Sequence, residues 1–233
     1  MNTNEFIIYC VENEFKQEAI NIKYIGAGSF GKVYKAETKN NAYIFKIYNK
    51  TGIAMKEVNS LKILSRNNAV KIPYIYFVHT SDTAFKKDVI CMEFIEGKNA
   101  LFNAKLLFAS KKAKQKFAYD VINAMDEIHK IKNAKFGYID NPAYESWTEF
   151  YREFANDIYN KAVIENQNGK FHKYILNTLT QAINNYDKIF DEEVNEAVLI
   201  HGDLNVMNIM VDKKFKITAF IDPLNSMYAD REY

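Results

Sequence analysis

The chain has 233 residues, enough for one domain or two lobes of roughly 100 to 150 residues each, and its 48% hydrophobic and 15% aromatic content excludes a disordered chain. Its 31 lysines and arginines stand against 29 acids for a net charge of +2, with no concentrated basic run, which argues against a nucleic-acid partner. Cys10 and Cys91, both in apolar surroundings, read as buried thiols of a reducing compartment, and runs such as Phe6 to Val11 are too short to span a bilayer. The first residues carry no positive leader, so a cytoplasmic protein without a membrane partner is expected.

After a short opening segment, residues 22–36 alternate apolar and polar positions around Gly26-Ala27-Gly28-Ser29-Phe30-Gly31. That pattern predicts a strand, a tight loop and a second strand. Glycines let a backbone approach a ligand closely and turn its N–H groups toward phosphate oxygens. A strand after the motif, in place of a helix, sets it apart from a dinucleotide fingerprint. A ligand-free glycine hairpin is the other reading of this stretch.

The run Ala42 to Tyr48 predicts the next strand, with Lys46 as its one charged residue. An ammonium in that company requires an anionic partner unless it lies on an edge facing solvent. A helix is expected from about Thr51 to Ser65, where Glu57, Leu61 and Leu64 share one face. Glu57 on that inward stripe can reach Lys46; alone it reads as a surface acid. Pro73 leads an extended stretch to Val78. Asp88 to Gly97 then reads as a buried strand running into a glycine turn, a natural boundary between residues 1–97 and 98–233.

Residues 98–199 read as mainly helical. Phe117, Val121, Met125 and Ile128 recur at helical spacing, as do Trp147, Phe150, Tyr151, Phe154 and Ile158, and a third segment carries Phe171, Tyr174, Ile175 and Leu179. All three stripes are expected to be core. Glu145, Glu149, Glu153 and Asp157 form an acidic line at four-residue steps. It reads as a solvated face relieved by Arg152 and Lys161, or as a surface that attracts a cationic substrate.

The last stretch is the most informative. Ile200-His201-Gly202-Asp203 is followed by Asn208 and, fourteen residues later, by Asp222. Between these two, Asn208 to Val211 and Phe215 to Ile221 flank a turn at Asp212-Lys213-Lys214, which predicts a hairpin returning Asp222 to Asn208. Phosphoryl transfer needs one carboxylate beside the attacking hydroxyl, and an amide oxygen with a second carboxylate to hold Mg²⁺ against phosphates. A polar loop before an ordinary hairpin fits the same residues.

Taken in order, the glycine loop, Lys46, Glu57, Met92-Glu93-Phe94-Ile95-Glu96-Gly97, His201-Gly202-Asp203 with Asn208, and Ile221-Asp222 resemble the protein-kinase-like fold over about residues 20–233. The branch they resemble is that of small-molecule kinases, namely aminoglycoside phosphotransferases, choline kinases and fructosamine kinases. His-Gly-Asp, Asp222-Pro223-Leu224 and the lack of an Ala-Pro-Glu motif favour that branch over protein kinases. The resemblance implies an α+β bilobal fold, with a small antiparallel sheet and one packed helix in 1–97 and a mainly helical 98–233. It implies Gly26, Gly28, Ser29, Phe30 and Gly31 over the phosphates of ATP or GTP, and Lys46 on phosphate oxygens, steadied by Glu57. The base would be bonded by the backbone of Glu93 and Ile95, with Met92 behind it. Asp203 would be the catalytic base and Asn208 and Asp222 the Mg²⁺ ligands, while His201 has a structural part.

The expected activity is transfer of the γ-phosphate to a hydroxyl of an aminoglycoside-like, sugar-amine or other small acceptor. The branch usually continues past the Asp230 region, so three expectations stand together: an open acceptor site, a site completed by a protein partner or oligomer, or a nucleotide-binding module without transferase activity.

Overall fold

The computed structural model describes residues 1–170 and 172–233. In chain order its helices and strands are α1 (Thr3–Phe15), β1 (Asn21–Ala27), β2 (Gly31–Glu37), β3 (Ala42–Tyr48), α2 (Ile53–Leu64), β4 (Ile75–His79), β5 (Val89–Glu93), β6 (Lys98–Asn99), α3 (Ala104–Leu107), α4 (Lys111–His129), β7 (Lys132–Asn133), β8 (Gly137–Tyr138), α5 (Trp147–Gln167), α6 (Lys173–Asn184), α7 (Tyr186–Ile189), β9 (Ala197–Ile200), β10 (Ile209–Val211), β11 (Ile217–Phe220) and β12 (Met227–Ala229). The α+β class expected from the sequence is what the chain adopts. Two compact units emerge, Met1–Ile128 with His201–Ser226, and His129–Ile200 with Met227–Tyr233. No helix among the described residues is long and apolar enough to cross a membrane.

The first unit is built on an antiparallel sheet of order β1-β2-β3-β5-β4. The two-residue period of β3 sends Tyr43, Phe45 and Ile47 to one face and Ile44, Lys46 and Tyr48 to the other. α1 covers the first face: Phe6, Ile7, Cys10 and Val11 pack with Tyr43, Phe45, Ile47, Phe85, Val89 and Cys91. This helix was not anticipated from the sequence. A capping box starts it, with the Asn2 side chain accepting from the Glu5 N–H at 3.0 Å and Glu5 accepting from the Asn2 N–H at 2.8 Å. Left-handed Lys16, at φ 54°, ends it. α2 covers the other face, where Ala54 and Val58 meet Tyr48, Ile90 and Met92. Both cysteines are free and buried, as expected.

The same unit carries a three-stranded sheet of order β11-β10-β6. β10 and β11 form the expected hairpin, with Ile209 opposite Phe220. Asp212 holds its turn, with Oδ1 accepting from the N–H groups of Lys214 at 2.7 Å and Lys216 at 3.0 Å.

The second unit adds a sheet to the mainly helical expectation for residues 98–199. It holds a four-stranded antiparallel sheet of order β7-β9-β12-β8, whose central strand β9 is buried throughout. α5 starts at Ser146, whose hydroxyl accepts from the Glu149 N–H at 3.2 Å. Trp147 and Phe150 are buried as expected, and Trp147 meets the C-terminal Tyr233 ring at 5.2 Å between centroids. Ile158, however, is 46% exposed, and in the third stripe Tyr174 is 72% and Ile175 48% exposed. α6 lies against α5, and its half-buried positions are Leu176, Leu179, Thr180 and Ile183, so of the expected stripe's described residues only Leu179 stays inward. Phe171 lies outside the described residues.

Of the expected acidic line only Glu149, Glu153 and Asp157 lie on α5, Glu145 preceding its Ser146 cap, and the line is relieved differently from the expected way. Lys135 pairs with Glu145 at 2.9 Å, and the Tyr144 hydroxyl donates to Glu153 at 2.6 Å. That bond pushes the Tyr144 hydroxyl up to about 12. Arg152 turns away to Asp187 and stacks over the Tyr186 ring at 4.2 Å.

Candidate functional site

Lys46 is the centre of the site. Two positions on each side of it along β3 alternate between faces, so Lys46 projects toward α2 with Tyr48 beside it. Its Nζ donates to both oxygens of Glu57, at 2.8 and 2.6 Å, and to Oδ1 of Asp222. Glu57, 1% exposed, also accepts from the Tyr48 hydroxyl at 2.6 Å. Burial works against the Lys46 charge, but the Glu57 and Asp222 carboxylates outweigh it and hold the ammonium above its ordinary value. Burial pushes the Glu57 carboxyl the other way, toward its neutral form, against the pull of Lys46. The two partners thus lean in opposite directions. Every bond to Glu57 oxygens comes from a donor, so the ion pair is the state this geometry holds.

The second half of the site hangs from the loop between β9 and β10. Asn208, 7% exposed, donates from Nδ2 to the Asp203 carbonyl at 2.8 Å and to Asp203 Oδ2 at 3.3 Å. Asn205 Nδ2 donates to Asp203 Oδ1 at 3.1 Å. The Ile221 N–H bonds the Asn208 carbonyl at 2.9 Å, extending the hairpin by one pair and bringing Asn208 and Asp222 to one end. Asp222 sits at φ 60°, a left-handed backbone that Asp tolerates better than most residues.

His201 braces that bend through an Nε2 bond to the Ile221 carbonyl at 3.1 Å. Since Nε2 must donate, Nδ1 carries the lone pair, and it is buried with no partner. Burial holds this imidazole below its usual range, so it is neutral in the fold. A depressed pKa makes the His201 contribution complete above about pH 6.5; it is then lost as pH falls through the folded value. The unfolding free energy is therefore expected to drop between pH 7 and 5, and to drop less steeply in His201→Asn, as read by denaturant titration at each pH.

Gly202 adopts φ +73°, and a Cβ there would run into the Asn225 carbonyl. Gly202→Ala is expected to cost at least about 2 kcal/mol, the sum of a left-handed alanine and a displaced backbone. A melting temperature within a degree of the parent would contradict this.

One cavity of about 380 Å³ gathers the pieces. Of the residues singled out in the sequence, Gly26, Gly28, Ser29, Phe30, Gly31, Lys46, Glu57, Met92, Glu93, Ile95, Asn208 and Asp222 all line it. Asp203 does not; it is exposed and joined to the cavity wall through Asn208. At Glu93 the N–H is already committed to the Tyr74 carbonyl at 2.8 Å, and the side chain is bonded by Lys71.

A sequence model of the APH family, described as a phosphotransferase enzyme family, matches residues 21–233. The chain belongs to this phosphotransferase family. No curated protein matches its sequence. Among solved structures, the ternary complex of a thermostable mutant of aminoglycoside phosphotransferase APH(4)-Ia with ADP and hygromycin B is similar at TM-score 0.70 and 15% identity, over 100% of this chain and 74% of that one. The GDP and kanamycin complex of APH(2")-IIIa gives 0.69 at 14% identity, over 100% and 76%. A protein assigned as a fructosamine-3-kinase from Haemophilus somnus 129PT gives 0.68 at 17%, over 97% and 73%. At these identities the likeness shows the fold: this is a small-molecule kinase fold.

Within this phosphotransferase chain, part of the apolar wall of the cavity comes from residues the motifs passed over: Ile25, Val33, Ile44 and Met210. Asn99 also lines it, and its Nδ2 bonds the Met207 carbonyl of the loop. Strand alternation could have found Val33 and Ile44, whereas nothing local marks Asn99. Tyr48 was missed too, although its two-residue offset from Lys46 was the available signal.

Proposed function

We propose that this phosphotransferase moves the γ-phosphate of ATP or GTP to a hydroxyl of a small acceptor, aminoglycoside-like, sugar-amine or a related metabolite. The observation that carries the reading is Lys46, bonded at once to Glu57 of α2 and to Asp222 beyond β11, in a cavity roofed by the glycine loop. A cation placed so, with two anionic partners, suits a site whose ligand is a polyphosphate. The glycine loop covers the phosphates, Lys46 bonds their oxygens, and Glu57 keeps Lys46 in place. Glu93 and Ile95 bond the base through their backbones, with Met92 behind it.

Asp203 acts as the base that takes the proton of the acceptor hydroxyl. Asn208 and Asp222 would hold Mg²⁺. The donor set fits such an ion: a carboxylate and an amide oxygen are hard ligands, and Asn208 spends its Nδ2, not its Oδ1, on Asp203. No cluster of three or more His, Cys, Asp or Glu side chains suited to a metal occurs among the described residues. That suits a cation which takes the rest of its shell from phosphate and water. When bound, it supplies charge neutralisation on the transferring phosphoryl group. We assign residues 1–97 as the nucleotide lobe and 98–233 as the lobe of the catalytic loop and acceptor, acting in the cytoplasm. The complexes of similar structures with hygromycin B and kanamycin support a cationic acceptor.

The test is phosphate transfer from Mg·ATP and Mg·GTP to a panel of aminoglycosides and sugar amines, read by mass spectrometry alongside nucleotide-induced thermal shift. A mass gain of one phosphoryl group on a panel member is the expected result. A thermal shift without transfer to any acceptor would identify a nucleotide-binding module instead, and neither signal would overturn the reading.

A further inference from the structure

We propose that Tyr48 is a positioning residue of the nucleotide site, acting through Glu57 on Lys46. This rests on the nucleotide reading above. Tyr48 ends β3 two residues after Lys46, on the same face, and is 1% exposed. A tyrosine buried to this degree must satisfy its hydroxyl, and here it donates to Glu57 Oε2 at 2.6 Å. Oε2 is also the oxygen that takes the shorter of the two Lys46 bonds. One carboxylate oxygen therefore joins both residues, and the Lys46 ammonium lies 5.6 Å from the centre of the Tyr48 ring.

The geometry explains what Tyr48 adds. Lys46 is shared between two acids, Glu57 and Asp222. A nucleotide phosphate reaches the ammonium only if Glu57 keeps its hold while Asp222 yields its own. The Tyr48 bond locks the Glu57 carboxylate in rotation, so that both its oxygens remain on Nζ. Without the hydroxyl, the carboxylate is free to turn on its long side chain, and the ammonium shifts toward Asp222 and away from the phosphates. The helix that bears Glu57 is anchored from the same quarter. α2 has no side-chain cap of its own, and its first turn is tied by the Gly52 N–H to Asp88 Oδ2 at 2.6 Å. Asp88 in turn accepts from the Ser81 N–H at 2.9 Å, and its carbonyl takes the Tyr48 N–H at 3.0 Å. The backbone of Tyr48 thus fixes the start of α2, and its hydroxyl fixes the residue that α2 presents.

The experiment is Tyr48→Phe, Glu57→Gln and the double variant, each measured for binding of a fluorescent ADP analogue with Mg²⁺, for kinetics, and for melting temperature. Tyr48→Phe is expected to weaken nucleotide binding by about tenfold, as loss of a hydrogen bond to a charged group implies. The nucleotide KM should rise in step, with the acceptor KM unchanged. In the Glu57→Gln background the same substitution is expected to change nucleotide affinity by less than about twofold, because the two residues act as one unit. Equal losses in both backgrounds, or a lower melting temperature with unaltered nucleotide affinity, would reduce Tyr48 to packing and overturn the inference. Nucleotide binding that is absent from the parent protein as well would instead overturn the functional reading itself.

Discussion

Asp203→Asn is expected to lower turnover by about 10²–10⁴-fold, the range that a positioned general base contributes. On the proposed reading the Asp203 carboxylate takes the acceptor's proton, and it is already held in place. Asn208 Nδ2 reaches its Oδ2 at 3.3 Å and Asn205 Nδ2 its Oδ1 at 3.1 Å, while a second bond from Asn208 fixes its backbone. Asparagine keeps the shape of the group and removes its capacity to accept a proton. Because Asp203 is outside the cavity proposed for the nucleotide, nucleotide affinity is expected to stay within about 0.5 kcal/mol of the parent. Single-turnover kinetics with a competent acceptor, beside a binding isotherm, separate the two effects. A rate near that of the parent would show that another group takes the proton.

Lys46→Met is expected to be the most damaging single change to the fold as well as to the site. It leaves the Glu57 carboxylate 1% exposed with Tyr48 as the remaining donor found among the described residues. Breaking a buried ion pair from one side costs about 3–5 kcal/mol, because the remaining charge is stranded. Nucleotide binding is expected to disappear with it. Replacing both partners, as Lys46→Met with Glu57→Leu, should restore most of that stability, since apolar groups of similar volume need no desolvation. Binding should not return. Denaturant unfolding of the parent, both single variants and the pair gives the coupling directly. Additive losses in that cycle would mean that the Lys46–Glu57 bond contributes little to the fold.

How much of this was readable from the chain depended on the length of each pattern. A seven-residue apolar run from Ala42 to Tyr48 with one lysine, and two turns of helix around Glu57, raised the pairing of Lys46 with Glu57 beside a surface reading of Glu57, and the family resemblance favoured the pairing. The Asn208 to Asp222 hairpin was legible because its turn is short and its strands alternate. Strands of two to four residues, such as β6, β7, β8 and β12, carry no period at all. Their pairings are set by distant partners, which is why the sheet of the second unit went unseen. The outward face of α6 was misread for a related reason. A broad apolar stripe shows that a helix is amphipathic, but the neighbour alone decides which part of the stripe is covered, and in α6 it is Leu176, Leu179 and Ile183 that are half-buried. Tyr48 was hidden by its own hydrophobicity, since an aromatic in a buried strand draws attention only once its hydroxyl has a partner.

α1 lies wholly outside residues 21–233, the span that the family model recognises. Yet Phe6, Ile7, Cys10 and Val11 are what separates the outer side of the five-stranded sheet from water. A chain cut to begin at Asn21 would keep every side chain of the phosphate site and still present Tyr43, Phe45, Ile47 and Val89 to solvent as one sticky plate. Such a fragment would be expected to associate or precipitate before its chemistry could be assayed. Motif boundaries and folding boundaries are different lines on this molecule, and the helix before the first glycine belongs inside the second.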